Sequence, residues 1–371
     1  MPHIEIAIAG AGIAGLATAY TFARAGHQVH VFERDARPVS ASIRNFGMVW
    51  PIGQPAGPKL DLALRSREIW GKVAPAAGIW HNPEGSLHLA YRPDAWAVLQ
   101  EFAALAAGTA YDCQLLTPAG VAAVSPTTRT EGLLGGLLSR SEMIVDPREV
   151  PGKLIAYLRE DWGVTFHFQQ AVQQVESGRF VAGGQAWTCE RLILCTGADL
   201  ESLFPEVFRD SPLVKVKLQM MRTAPQPGGW RMGPALAGEL TLTHYEAFEA
   251  CPSLPALRAR IEAETPWFPE WGIHVMMSQN GLGELVIGDS HVYGPTHDPF
   301  LDEQINQYIL DYLWEMAQAP APAVTERWYG VYAKTPGEVA FIRQPLAGVT
   351  ILTGLGGAGM TLSFGVAETL R

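Results

Sequence analysis

Apolar residues run almost unbroken over positions 4–9, stop at Gly10-Ala11-Gly12-Ile13-Ala14-Gly15, and resume with small residues at helical spacing over 13–25. A second apolar stretch follows at 29–33. The pattern predicts strand, tight loop, helix and strand, one βαβ half-unit at the start of the chain. Further along, helical periodicity predicts helices over 58–74, 94–107, 148–162 and 301–318, while strand-like stretches lie at 213–223, 239–246, 273–279, 284–289 and 324–333. Residues 191–198 read as a buried strand ending in the turn Thr196-Gly197-Ala198. The last strand, 349–353, feeds Gly354-Leu355-Gly356-Gly357-Ala358-Gly359-Met360-Thr361 and a short apolar helix. Turn residues such as Pro225-Gln226-Pro227-Gly228-Gly229 are scattered and no fixed-period repeat is visible, so the chain is expected to cross between its parts several times.

The length of 371 residues exceeds a usual single core, which stops growing at roughly 250 to 300 residues, and so adds the expectation of two lobes. With 48% hydrophobic and 17% charged residues the chain is globular. A net charge of −10 argues against a nucleic-acid or anionic-membrane partner, and an anionic substrate must rely on local cations. Cys113, Cys189, Cys195 and Cys251 form no CxxC pair and no metal-ligand spacing with histidine, which predicts reduced, mostly buried thiols and no metal site. The first strand leaves no room for a charged leader and no long apolar stretch follows, so a cytoplasmic protein is expected.

The glycine loop stands between a strand and a helix, the context in which GxGxxG carries weight. Gly10 permits the tight turn, Gly12 lets backbone amides approach a pyrophosphate at the helix N-terminus, and Gly15 lets helix pack on strand. Glu33 ends the next strand, where a carboxylate accepts hydrogen bonds from adenosine ribose hydroxyls and repels a 2′-phosphate. These features alone fit FAD or NAD. Residues 40–51, Ser-Ala-Ser-Ile-Arg-Asn-Phe-Gly-Met-Val-Trp-Pro, decide for FAD, because small and polar side chains stand where backbone meets an isoalloxazine ring. An ordinary surface loop would expose Phe46, Met48, Val49 and Trp50. The closing glycine loop lies at a helix N-terminus, whose amides and dipole stabilise negative charge on a reduced flavin pyrimidine. No interior GxGxxG offers a second, NADPH-binding Rossmann unit.

Together these residues resemble the D-amino acid oxidase and glycine or sarcosine oxidase family of FAD-dependent amine-oxidising enzymes over nearly the whole chain. The resemblance rests on the dinucleotide loop with Glu33, the segment 40–48, Val145-Asp146-Pro147 before a helix, the Thr196-Gly197-Ala198 turn, Arg327-Trp328-Tyr329-Gly330, and the closing Gly356-Gly357-Ala358-Gly359-Met360-Thr361. It implies an α/β fold, a Rossmann-type FAD-binding domain interleaved with an antiparallel-sheet substrate domain. The division expected is 1–80, 145–212 and 325–371 for FAD, with 81–144 and 213–324 for substrate. It also implies FAD contacts from Gly10, Ala11, Gly12, Ile13, Ala14, Gly15, Glu33, Arg34, Ser42, Arg44, Asn45, Gly47, Met48, Val172, Thr196, Gly197, Gly356, Gly357, Gly359, Met360 and Thr361.

More narrowly, residues 44–54, Gly288-Asp289-Ser290-His291 and Tyr332-Ala333-Lys334 resemble a branch associated with aminophosphonate breakdown. That implies oxidation of 2-aminoethylphosphonate or its N-methylated forms to phosphonoacetaldehyde. Two departures from the wider family matter. No cysteine lies late in the chain and no histidine lies in 40–48, so FAD is expected to be non-covalent. Tyr332 and Lys334 follow Gly330 where the family often carries a carboxylate-gripping arginine.

The expected reaction removes hydride from the amine carbon, with imine hydrolysis to follow. The substrate amine reacts neutral, and His244, Tyr245 and His291 are the candidates for lining its pocket and taking a proton. Arg44 and Lys334 are the candidates for gripping the anionic end, with Tyr332 beside them. The aromatic stretch 267–271 either caps that pocket or packs in the core. Three other readings stay open: a glycine, sarcosine or D-amino acid oxidase, a flavin monooxygenase, and a non-catalytic flavin protein. The electron acceptor, dioxygen or another oxidant, is open as well.

Overall fold

A computed structural model of the protein describes residues 2–371. The opening pattern folds as strand His3–Ala9, helix Ile13–Arg24 and strand Val29–Glu33. His3–Ala9 lies parallel between Val29–Glu33 and Gln185–Leu194, and Thr165–Phe168 extends the sheet beyond Val29–Glu33. The long strand Gln185–Leu194 carries Arg179–Ala182 antiparallel along its first half and Val349–Thr353 parallel along its second. The first and last strands of the chain are thereby set in one sheet, separated by a single strand. Both faces are covered, which is why these strands read as continuous apolar runs. Helices Ile13–Arg24 and Gly359–Glu368 pack on one face, and Phe32, Phe180, Trp187 and Phe341 form the core of the other.

Among the described residues a second, nine-stranded sheet is built around Val214–Pro225. That strand pairs antiparallel with Val324–Lys334 on one side and with Glu284–Gly288 and Val292–Gly294 on the other. Met276–Gln279, Ala235–Ala237, Ser86–Ala90, Gly135–Ser139 and Cys113–Leu116 complete it. Met48–Val49, Met143–Val145 and His81–Asn82 form a small third sheet. The parallel sheet and the largely antiparallel sheet thus correspond to the expected mixed architecture.

One expectation is corrected. Residues 239–246 form not a strand but the helix Leu240–His244 and the turn Glu246–Phe248. Leu240, Thr241 and Leu242 are all buried, and the Thr241 and Thr243 hydroxyls donate to the carbonyls of Gly238 and Leu240, so alternation of Leu and Thr was not alternation between core and solvent. The strand Val324–Lys334 pairs antiparallel with Val214–Pro225 along its length. The cysteines are free, with Cys189, Cys195 and Cys251 buried and Cys113 partly so. No helix of the described residues is long and apolar enough to cross a membrane.

Candidate active site

At the dinucleotide loop Gly10 has φ +102°, and a Cβ there would lie 2.3 Å from the Cys195 carbonyl oxygen. A Cβ on Gly15 would lie 1.9 Å from the Gly10 carbonyl oxygen, so both positions exclude side chains by contact. Glu33 is buried and accepts from the Ala11 amide at 2.8 Å and the Asp35 amide at 3.0 Å. Its carboxylate therefore braces the loop as well as facing the cavity above it. That cavity, about 910 Å³, is lined by Gly10, Gly12, Ile13, Ala14, Glu33, Arg34, Ser42, Arg44, Val172, Thr196, Gly197, Gly356 and Gly359 among others.

Other expected cofactor residues shape the cradle from behind. Asn45 donates to the Ala41 and Ser42 carbonyls and accepts from the Gly47 amide at 2.8 Å, which closes the loop on itself. Gly47 has φ +74°, and a Cβ would strike the Val145 carbonyl oxygen at 1.9 Å. The Thr361 hydroxyl accepts from the Trp50 amide at 2.9 Å, fastening the early loop to the closing helix. Arg34 is held to Asp199 at 3.0 Å. A glycine-walled cleft at a helix N-terminus, a buried acid ending the second strand and a second glycine loop fit FAD: Gly10 to Gly15 and Glu33 would hold its ADP end, residues 42–48 and 356–361 its ring.

A second cavity of about 260 Å³ opens from the first and shares Ile13, Ser42, Arg44, Tyr332 and Gly356 with it. The candidates His244, Tyr245, His291, Arg44, Lys334 and Tyr332 all line it, although they come from four separate parts of the chain. So do His274 and Asp289, which sequence reasoning did not assign. The rings of His244 and His274 stack at 3.8 Å between centroids, and His291 lies 4.7 Å from His244 and 4.9 Å from His274. His274 Nε2 is 3.2 Å from Asp289 Oδ1 and His291 Nε2 is 3.8 Å from Asp289 Oδ2.

Desolvation in the cluster pushes His244, which still reaches solvent, and buried His274 well below the usual imidazole range and His291 down to about 4, and the neighbouring Lys334 charge adds to each shift. Burial pushes the Asp289 carboxyl well above its usual range and raises the Tyr245 and Tyr332 phenols. Among the described residues these three histidines are the group with metal-ligand proximity, their ligand atoms lying within 4.8 Å of one another. No such group was expected from spacing along the chain.

The two cations differ. Arg44 donates from Nε to the Val39 carbonyl at 2.9 Å and from Nη1 to the Tyr329 carbonyl at 3.4 Å, so it chiefly pins the flavin loop to the antiparallel sheet. Lys334 has no ion-pair partner among the described residues, and its Nζ lies 5.7 Å from the Tyr293 ring centroid. The stretch 267–271 does not line the cavity: Trp267 stacks on Tyr308, Phe268 packs on Tyr312, and the Trp271 carbonyl accepts from the His291 amide. Core packing is the outcome there.

A model of the family described as FAD dependent oxidoreductase matches residues 5–371. The chain is 26% identical over 240 residues to the tRNA 5-methylaminomethyl-2-thiouridine biosynthesis bifunctional protein MnmC of Magnetococcus marinus, a match covering 60% of this chain and 34% of that longer protein. The glycine oxidase of Geobacillus kaustophilus superposes with a TM-score of 0.78 at 17% identity, covering 100% of this chain and 94% of that one. The iminodiacetate oxidase of Chelativorans sp. BNC1 gives 0.72 at 20% identity, over 99% and 94%. At such identities the likeness is one of fold.

Proposed function

Because the chain belongs to the FAD-dependent oxidoreductase family, we propose that it oxidises a small amine with an anionic end, 2-aminoethylphosphonate or its N-methylated forms, to phosphonoacetaldehyde. Bound FAD, held without a covalent link, supplies the acceptor for the hydride lost from the nitrogen-bearing carbon, and the imine left behind hydrolyses in water. The observation that carries the reading is the pair of cations on the cavity wall. Arg44, the side chain suited to fork onto a carboxylate, is tied to two backbone carbonyls, while Lys334 is free. A lysine point charge flanked by the Tyr332 hydroxyl suits a tetrahedral phosphonate better than a planar carboxylate.

A second reading, oxidation of glycine, sarcosine or a D-amino acid, draws on the glycine oxidase fold. Anaerobic mixing of the FAD-loaded protein with N-methyl-2-aminoethylphosphonate, 2-aminoethylphosphonate, sarcosine, glycine and D-alanine separates the two. Bleaching of the flavin band by the phosphonates alone is expected. Bleaching by the carboxylates alone returns the protein to the amino-acid oxidases.

A further inference from the structure

An ammonium group holds its nitrogen lone pair in an N–H bond, and hydride loss from the neighbouring carbon needs that pair free. Somewhere on the cavity wall a group must take the proton. Asp289, 5% exposed and on that wall, has an Oδ1 atom with no properly directed hydrogen bond. It sits just past the strand Glu284–Gly288, with its backbone paired to that of His274 in both directions. His291 Nδ1 lies 3.0 Å from the Gly272 carbonyl. A carbonyl only accepts, so Nδ1 carries the hydrogen and Nε2, the atom nearer Asp289, carries the lone pair.

We propose that Asp289 is the seat of the substrate amine: its carboxylate binds the ammonium group and takes one proton, with His274 and His291 as neutral neighbours. The N–H bond breaks, an O–H bond forms on the carboxylate, and the electron pair stays on nitrogen. The inference rests on the reading of the substrate as a small amine. It places the cationic end at Asp289 and the anionic end at Lys334, so that a zwitterion meets a complementary charge at each end.

Burial supports the assignment, since a carboxyl raised well above its usual range has moved toward the basicity of an amine. The groups facing it are His274, His291, His244, Tyr245 and Tyr332, whose shifts all favour their neutral forms, and the Lys334 cation. Arg44, Lys59, Glu246 and Glu338 occupy the remaining walls. Asp289 is thus the acid on this wall that sets the proton balance of the amine.

The test is the pH dependence of anaerobic flavin reduction in the wild type and in Asp289→Asn. A free alkyl amine loses its proton near the lysine value of about 10, so the variant is expected to lose about 100-fold in reduction rate at about pH 7 and to recover within a few-fold at about pH 10. Equal loss at every pH, or an unchanged profile, overturns the proposal.

Two probes that cannot be oxidised make the test independent of turnover and of how well the variant folds. Ethylphosphonate carries the anion without an amine, and 2-(trimethylammonio)ethylphosphonate carries a cation with no proton to give. In the wild type the quaternary probe, followed by perturbation of the flavin spectrum, is expected to gain affinity over ethylphosphonate by about tenfold as Asp289 ionises with rising pH. A constant ratio overturns the proposal. So does inactivation by a chelator with recovery on adding a divalent metal, which would assign the cluster to an ion. Absence of reduction by any amine at any pH is a different failure: it removes the amine-oxidase reading, while the probes still report whether Asp289 meets a cation.

Discussion

At the scale of single residues the site divides its cations by what else they touch. Lys334 projects from the end of Val324–Lys334 beside the closing glycine loop, and a Cβ on Gly356 would lie 3.4 Å from its Cγ. Lys334→Ala is expected to weaken ethylphosphonate binding by about 10- to 100-fold, the worth of one hydrogen bond to a charged group at roughly 1.5–3 kcal/mol, with little change in limiting rate. Arg44→Ala is expected to act on FAD retention instead, because its partners are the Val39 and Tyr329 carbonyls of the loop and sheet that flank the ring. Titration of both variants with ethylphosphonate, alongside the fraction of FAD surviving gel filtration, checks the contrast. Equal losses of phosphonate affinity would sink the division of labour. Both cations were legible in the sequence as residue types near a recognised loop. Their different commitments were not, since the carbonyls that occupy Arg44 include one from a residue far along the chain.

At the scale of elements, the helix Gly359–Glu368 explains why the end of the chain belongs against its beginning. A Cβ on Gly365 would lie 2.3 Å from the Leu62 carbonyl oxygen, so the helix Pro58–Ala76 approaches it at backbone distance. Glu368 then accepts from Arg65 at 2.7 and 2.9 Å and from Arg24 at 2.5 Å, joining three helices. The Arg65 hydrogen bonds, ahead of those from Arg24, hold the Glu368 carboxyl below its usual range. A depressed folded-state value means the contribution is present above the unfolded pKa and lost as pH falls through the folded one. With both partners partly exposed, Glu368→Gln is expected to cost about 1 kcal/mol near neutrality and progressively less as pH falls below the usual carboxylate range, read as urea midpoints across pH. A pH-independent difference would assign the effect to packing. The βαβ opening and the closing strand and helix were legible because their signals are local: apolar runs bounded by glycines with fixed tasks. Leu240–His244 reads as a strand because Leu and Thr alternate, yet Leu240, Thr241 and Leu242 are buried on consecutive positions, as on a helix packed into the core. Asp289 was quoted within a motif yet given no role, because its partner His274 becomes its neighbour only through the pairing of Met276–Gln279 with Glu284–Gly288.

At the scale of the whole molecule, two cavities with shared lining residues run between the two large sheets. The larger cavity takes its walls from the dinucleotide loop, from residues 171–174 and 195–203 of the parallel sheet, and from Tyr329 to Ala333 of the antiparallel one. The smaller continues between the loop 41–54, the closing glycines and the antiparallel sheet. A ligand that spans both therefore adds to the contacts between the two sheets, which already meet at the Lys334–Leu355 bridge, the Thr335 amide to Gly354 carbonyl hydrogen bond and the Arg148–Glu326 ion pair. FAD at about a hundredfold over its Kd adds about 2.7 kcal/mol to the stability of whatever it bridges. ADP, which carries the pyrophosphate and ribose but no ring, would reach only the Gly10 to Glu33 end. Hydrogen exchange of the apoprotein is thus expected to slow at residues 10–15 with either ligand, and at residues 354–361 and 329–333 with FAD alone. Protection of all three stretches by ADP would mean that the lobes are already locked without the ring. The substrate cavity would then be a property of the apoprotein, and not a shape completed by the cofactor.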